Sequence, residues 1–293
     1  MLFRSRRVYD KAVIAFNAAH DADPANAAII DSRGWAYERR GQDDLAMADY
    51  NLALQKRPNY GNAYNNRGTL YLRKQALQSA QDDFSSAIQY APNMLFGYTN
   101  RARVLTLKKD YDAALADYVA AAQIDPNARQ IFSNRCYTYT AMGKYDLAIA
   151  DCNSAIEKQP NWQFPLVNRA DAYMAKGSLD IALKDYNAVL KLNPNNVRAH
   201  AGRGQLFEKR RDLAQARADY RSAAYALTPY DDLEVAMARA TAQERLAALT
   251  PQAGTSATSR RIALVIGNGD YKNAHRLDNP PRDARLKIGR AHV

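Results

Sequence analysis

The sequence predicts an all-α solenoid of stacked helical hairpins. Proline recurs every 34 residues, at Pro24, Pro58, Pro92, Pro126, Pro160 and Pro194, with Pro229 arriving one residue late. Counted from three residues past each on-time proline, six units follow: 27–60, 61–94, 95–128, 129–162, 163–196 and 197–230. The eighth place of each unit is small (Gly34, Gly68, Ala102, Cys136, Ala170, Gly204), and the twentieth is always alanine. A single globular core imposes no such period, whereas hairpins that each bury a face on the next require one.

Each landmark has a local reason. Proline cannot continue a helix, so it marks the end of a unit. Glycine at 41, 143 and 177 suits a turn between paired helices, where positive φ is convenient. Small residues let the paired helices approach, and the twenty-fourth place (Tyr50, Phe84, Tyr118, Cys152, Tyr186, Tyr220) supplies bulk that wedges between hairpins. Ahead of the first unit, residues 6–26 carry Ala12, Phe16, Ala19 and Pro24 in register, the second helix of a partial unit. Pro165 falls in the first turn of a helix, where its missing N–H costs nothing. Beyond residue 230, Asp231 and Asp232 cap an alanine-rich terminal helix over 231–249 with one solvated face. Residues 250–260 read as a linker.

The seventh place is always arginine and the twenty-third always aspartate. With the hairpin turn near the fifteenth, these two lie at similar heights on antiparallel helices. The expected ladder is Arg33–Asp49, Arg67–Asp83, Arg101–Asp117, Arg135–Asp151, Arg169–Asp185 and Arg203–Asp219, structural pairs that set register. Cys136 and Cys152 occupy packing places of one unit and read as buried small hydrophobes rather than a disulfide or a metal site. His20 and His200 lack a ligand companion at i+4, so no metal is expected, and no cofactor is implied.

This pattern resembles the tetratricopeptide repeat over residues 27–230 without a gap. The resemblance implies a right-handed superhelix whose first helices line a concave groove with places two, five, six, nine, twelve and thirteen. Candidate peptide-binding residues there are Asn66, Asn100, Asn134 and Asn168, a file of amides at the sixth place, with Trp35, Tyr137, Phe96 and Phe164 as apolar contacts. The expected partner is a protein or peptide in that groove. The carboxylate-clamp subtype needs lysine at the fifth place, which reads Asp31, Asn65, Thr99, Ser133, Val167 and Ala201, so that clamp is absent.

Over residues 261–287 the register changes. Arg261-Ile-Ala-Leu-Val-Ile266 reads as a buried strand and leads into Gly267-Asn-Gly-Asp-Tyr271, with neither a dinucleotide nor a phosphate-loop pattern. That run, with Leu277-Asp-Asn-Pro280 and Asp283-Ala-Arg285, resembles the opening of a bacterial caspase-like (metacaspase-type) domain: one strand, a loop and the start of a helix. The family's Cys–His chemistry resides further along such a domain, and His275 is not in its setting, so no residue here takes a catalytic role. The implied parent is a caspase-like cysteine endopeptidase with a scaffold of repeats; the alternative is a stand-alone adaptor. Residues 288–293 back-translate to ATC GGA AGA GCA CAC GTC, and Leu2-Phe-Arg-Ser5 to CTC TTC CGA TCT, which resemble sequencing-adapter ends. On this expectation residues 1–5 and 288–293 are artefacts.

The net charge of +11 suggests polyanion binding, but residues 256–293 hold eight Lys/Arg against three Asp/Glu. The repeats carry the rest thinly, without a basic run, so nucleic acid is not an expected partner. No run of eighteen apolar residues exists, so no membrane-spanning helix is expected.

Overall fold

The computed structural model describes residues 2–228 and 232–250. Among them are fourteen α-helices and no strand. Helix α1 (Leu2–Ala22) precedes six antiparallel hairpins: α2 (Ala27–Arg39) with α3 (Asp43–Lys56), α4 (Gly61–Arg73) with α5 (Leu77–Tyr90), and α6 (Leu95–Leu107) with α7 (Tyr111–Ile124). They continue with α8 (Arg129–Ala141) and α9 (Tyr145–Lys158), α10 (Gln163–Lys176) and α11 (Leu179–Leu192), and α12 (Val197–Lys209) and α13 (Leu213–Tyr225), before α14 (Leu233–Leu249). All fourteen belong to one compact unit, residues 1–249. The strand and the caspase-like segment expected over 261–287, like Pro229 and Asp231, lie outside the described residues.

The period of the prolines has a simple physical origin. Each takes the second place of a four-residue turn leading into a hairpin, where its fixed φ is already correct. In turns 23–26, 57–60, 91–94, 125–128, 159–162 and 193–196 the last amide donates to the first carbonyl at 2.9–3.3 Å. The next helix is then capped by the turn's own side chain at Asn26 and Asn196, whose Oδ1 accepts first-turn amides.

The turn inside each hairpin has its own demand. The fifteenth residue is left-handed in all six: Gly41, Gly143 and Gly177 at φ +74°, +75° and +89°, but also Gln75, Lys109 and Arg211 at +60°, +64° and +61°. A side chain in that region costs about 1 kcal/mol that glycine avoids. Changing Gln75, Lys109 and Arg211 together to glycine should therefore raise stability by about 1 kcal/mol, the strain relieved at three sites less the greater freedom of glycine in the unfolded chain, read from the midpoint of a urea melt. An unchanged or lower midpoint would contradict this origin of the strain.

Alanine at the twentieth place is fully buried in every hairpin, as are the aromatics at the twenty-fourth. The small eighth residue exists for those rings: a Cβ on Gly34 would stand 2.9 Å from Cε1 of Tyr50, and one on Gly68 2.8 Å from Cε1 of Phe84. The file of sixth-place amides ends at Gly202 for the same reason, since a Cβ there would meet the Tyr186 hydroxyl at 2.5 Å.

One hairpin departs from the sequence reading. Cys136 and Cys152 are joined in a disulfide, with Cα atoms 5.5 Å apart. They occupy the eighth and twenty-fourth places, which elsewhere hold a glycine or alanine beneath an aromatic ring. The contact between helices that a ring fills in other hairpins is covalent here, because facing Cα atoms at this distance lie within disulfide reach.

All six arginines of the seventh place donate from Nε and Nη2 to both oxygens of the aspartate sixteen residues on, at 2.6–2.9 Å. The third nitrogen, Nη1, reaches back to the preceding hairpin or α1: Arg33 to Asn17, Arg67 to Asn51, Arg101 to Ser85, Arg169 to Asn153 and Arg203 to Asn187. The place of that acceptor before Arg135 is taken by Val119, which is exposed. Each fork thus ties two helices of its own hairpin and, in five cases, the preceding hairpin or α1. His200 joins the last pair, with Nδ1 2.9 Å from Asp219 and Nε2 2.8 Å from the Pro194 carbonyl. Burial works to raise the Asp219 carboxyl, but the bonds from Arg203 and His200 outweigh it and hold it below its ordinary value.

Candidate peptide-binding groove

The first helices α6, α8, α10 and α12 stand side by side and wall a cavity of about 340 Å³. Six of the eight residues expected in a groove line it: Phe96, Asn100, Asn134, Tyr137, Phe164 and Asn168. Phe96 and Phe164 are about half exposed, held in the first turns of α6 and α10, and Trp162 tilts against Phe164 at 6.2 Å between ring centres. Trp35 and Asn66 do not line it. Trp35 packs edge-on against Tyr9 at 5.6 Å, with the Arg39 guanidinium 5.9 Å from its ring.

The amide file is bound largely within the array. The Asn66 amide donates to both oxygens of Asp31, Asn100 to the Asn65 side chain, and Asn168 to the Ser133 carbonyl, at 3.0–3.2 Å. Each bond runs from the sixth place of one hairpin to the fifth of the hairpin before. The fifth place, expected to face the groove, is instead buried at Asp31, Thr99, Ser133, Val167 and Ala201. Neighbouring first helices pack too closely there to leave it open. What Asn168 still offers, its Oδ1, accepts from Arg198 at 2.8 Å.

Asp31 carries a consequence of that packing. Burial pushes its carboxyl up to about 6, with the charge of Glu38 adding and the Asn66 bond opposing. Its pKa when folded thus exceeds the 3.8 of the free group. The favourable contribution is complete below about pH 4 and is lost as pH rises through 6, on the order of 2 kcal/mol. Asp31→Asn should remove this dependence: in denaturant melts at pH 4 and pH 7 the wild-type chain should lose about 2 kcal/mol relative to the variant. A constant difference between the two chains across that range would rule it out.

Two cations missed by the sequence reading dominate the site. Arg103 on α6 and Arg198 on α12 both line the cavity. They occupy the ninth and second places, on the stripe that also supplies Tyr137, Phe96 and Phe164, so position alone could have found them. Burial lowers the pKa of Arg103; the charge of Asp232 opposes that fall, and Arg198 adds to it. Arg198 reaches Asp171 on α10 at 3.2 Å, and Tyr186 donates to the same carboxyl. Desolvation raises Asp171 even so, with Arg198 working against the rise. The remaining wall is the start of α14, through Asp232 and Glu234. No helix among the described residues is long and apolar enough to cross a membrane.

Comparison with known proteins fits this architecture. Residues 97–128 match a family model described as a tetratricopeptide repeat, and residues 170–210 match another described as a TPR repeat. None of the curated proteins matches the sequence. Among solved structures, a tetratricopeptide repeat protein from Parabacteroides merdae is 19% identical, with a TM-score of 0.67 over 82% of this chain and 94% of that one. A thermophilic TPR protein from Thermus thermophilus is 20% identical, with a TM-score of 0.57 over 62% of this chain and 99% of that one. Yeast Tom70 is 17% identical, with a TM-score of 0.56 over 83% of this chain but only 59% of its own. At these identities the likeness is one of fold: an array of tetratricopeptide repeats.

Proposed function

We propose that this array of tetratricopeptide repeats is a protein-interaction scaffold that holds a peptide segment of its partner in the groove walled by α6, α8, α10 and α12. The observation that carries the reading is the cavity itself. Exposed Phe96 and Phe164 flank Tyr137, with amide and guanidinium groups interleaved, which pairs apolar anchors with backbone-directed polar groups.

Peptides selected by display against the full chain should bind at this site. Phe96→Ala with Phe164→Ala should weaken them at least tenfold in fluorescence polarisation, while the melting temperature moves little because both rings are half exposed. Selected peptides that bind the double variant as tightly as the wild-type chain would move the site elsewhere.

The sequence resemblance over residues 261–285 supports a finer reading, in which the scaffold recruits substrates or regulators for a caspase-like peptidase domain. A stand-alone adaptor accounts for the repeats equally well. Sequencing the locus beyond the codon for Lys287 separates them: a Gly-His-Gly and an Asp-x-Cys belong to the first, and their absence from an open frame to the second.

A further inference from the structure

The groove already holds a piece of this chain. Glu234, in the first turn of α14, takes both Nε and Nη2 of Arg103, a residue 131 positions earlier. Beside it Leu233 is 3% exposed, in a cluster with Leu72 and Val104 of the second and third hairpins. Asp232 lines the cavity with Arg198 and caps α14, accepting the Val235 amide at 2.9 Å. The rest of α14 is anchored apart from this turn. Arg239 donates to the Ala223, Ala224 and Ala226 carbonyls, Ala242 is buried against α12 and α13, and Arg245 pairs with Glu208.

The charges of the lining divide by origin. Both cations, Arg103 and Arg198, come from the repeats, and both carboxylates, Asp232 and Glu234, come from the segment after them. Without that segment the walls would present the Arg103 guanidinium stripped of its carboxylate, near Arg198, which Asp171 already holds, in a partly desolvated site where a further carboxylate is strongly preferred. An apolar slot lies beside them, occupied by Leu233.

We propose that Asp232–Leu233–Glu234 is a built-in occupant of the groove, displaced by a partner segment of the same chemistry: an acidic peptide with an apolar residue between its carboxylates. This rests on the groove being the binding site. The tethered turn competes as an intramolecular ligand, so a partner's apparent affinity is reduced by the fraction of time that the turn is seated. The back half of α14 remains on α12 and α13 while the first turn leaves.

The test uses the full chain and a fluorescein-labelled peptide spanning residues 232–240 as probe. Glu234→Gln should bind the probe at least tenfold more tightly than wild type, since it unseats the turn and leaves Arg103 open. Adding Arg103→Gln to that variant should reverse the gain, as should a probe with Asn and Gln in place of its Asp and Glu. Hydrogen exchange at residues 233–237 should accelerate in Glu234→Gln, with protection of α12 and α13 unchanged. Equal affinity for wild type and Glu234→Gln would overturn the proposal, as would failure of Glu234→Gln to bind the probe. Neither outcome touches the groove reading, which stands or falls on whether display-selected peptides depend on Phe96 and Phe164.

Discussion

Asp117→Ala should cost the array about 3–4 kcal/mol, more than the paired change of Arg101 to Met and Asp117 to Leu, which should be close to neutral. Asp117 is 5% exposed and takes two bonds from Arg101, at 2.9 and 2.6 Å. Its loss strands a partly buried guanidinium that keeps a bond from Nη1 to Ser85 at 3.2 Å. Removing both charges leaves an apolar contact between α6 and α7 and no stranded ion. Urea melts of the single and double variants decide the matter. If the double change costs as much as the single one, the pair itself supplies net stability and is more than a device of register. Because repeats couple chiefly to their neighbours, the loss should spread to the adjoining hairpins rather than stay at one turn.

Reduction of Cys136–Cys152 should remove about 3 kcal/mol, the chain-entropy value for a loop of this size. At roughly 2–4 °C per kcal/mol for a chain of this length, the melting temperature should fall by about 6–12 °C in reductant. The revealing variant is Cys136→Gly with Cys152→Tyr, which gives the fourth hairpin the pair that Gly34–Tyr50 and Gly204–Tyr220 form in the first and sixth. It should melt within a few degrees of the oxidised chain and ignore reductant. Cys136→Ser with Cys152→Ser should match the reduced chain. Superimposable melts with and without reductant, on protein shown by mass spectrometry to carry the bond, would remove the disulfide from the stability of the array.

The disulfide also marks a limit of what a repeat pattern conveys. Cys136 and Cys152 are sixteen apart, the same separation as every arginine–aspartate pair, and the reasoning that joins position seven to twenty-three also joins eight to twenty-four. The pairing was legible; the chemistry at its two ends was read as packing because thiols are small and apolar. The amide file was legible as a file, but its role in the array was not. Whether Asn100 faces a ligand or reaches Asn65 depends on how far one hairpin rotates against the next.

By itself the sequence determined the hairpins, their turns and the arginine–aspartate forks, because each is fixed within one period by residues at constant offset on paired helices. Only the tertiary structure decided that the fifth place is buried, that Arg103 and Arg198 share one cavity, and that Glu234 enters it. Those contacts depend on the small rotation between successive hairpins, which no single repeat encodes. Summed over the three hairpins that follow Arg103, that rotation brings a residue 131 positions away to its side chain.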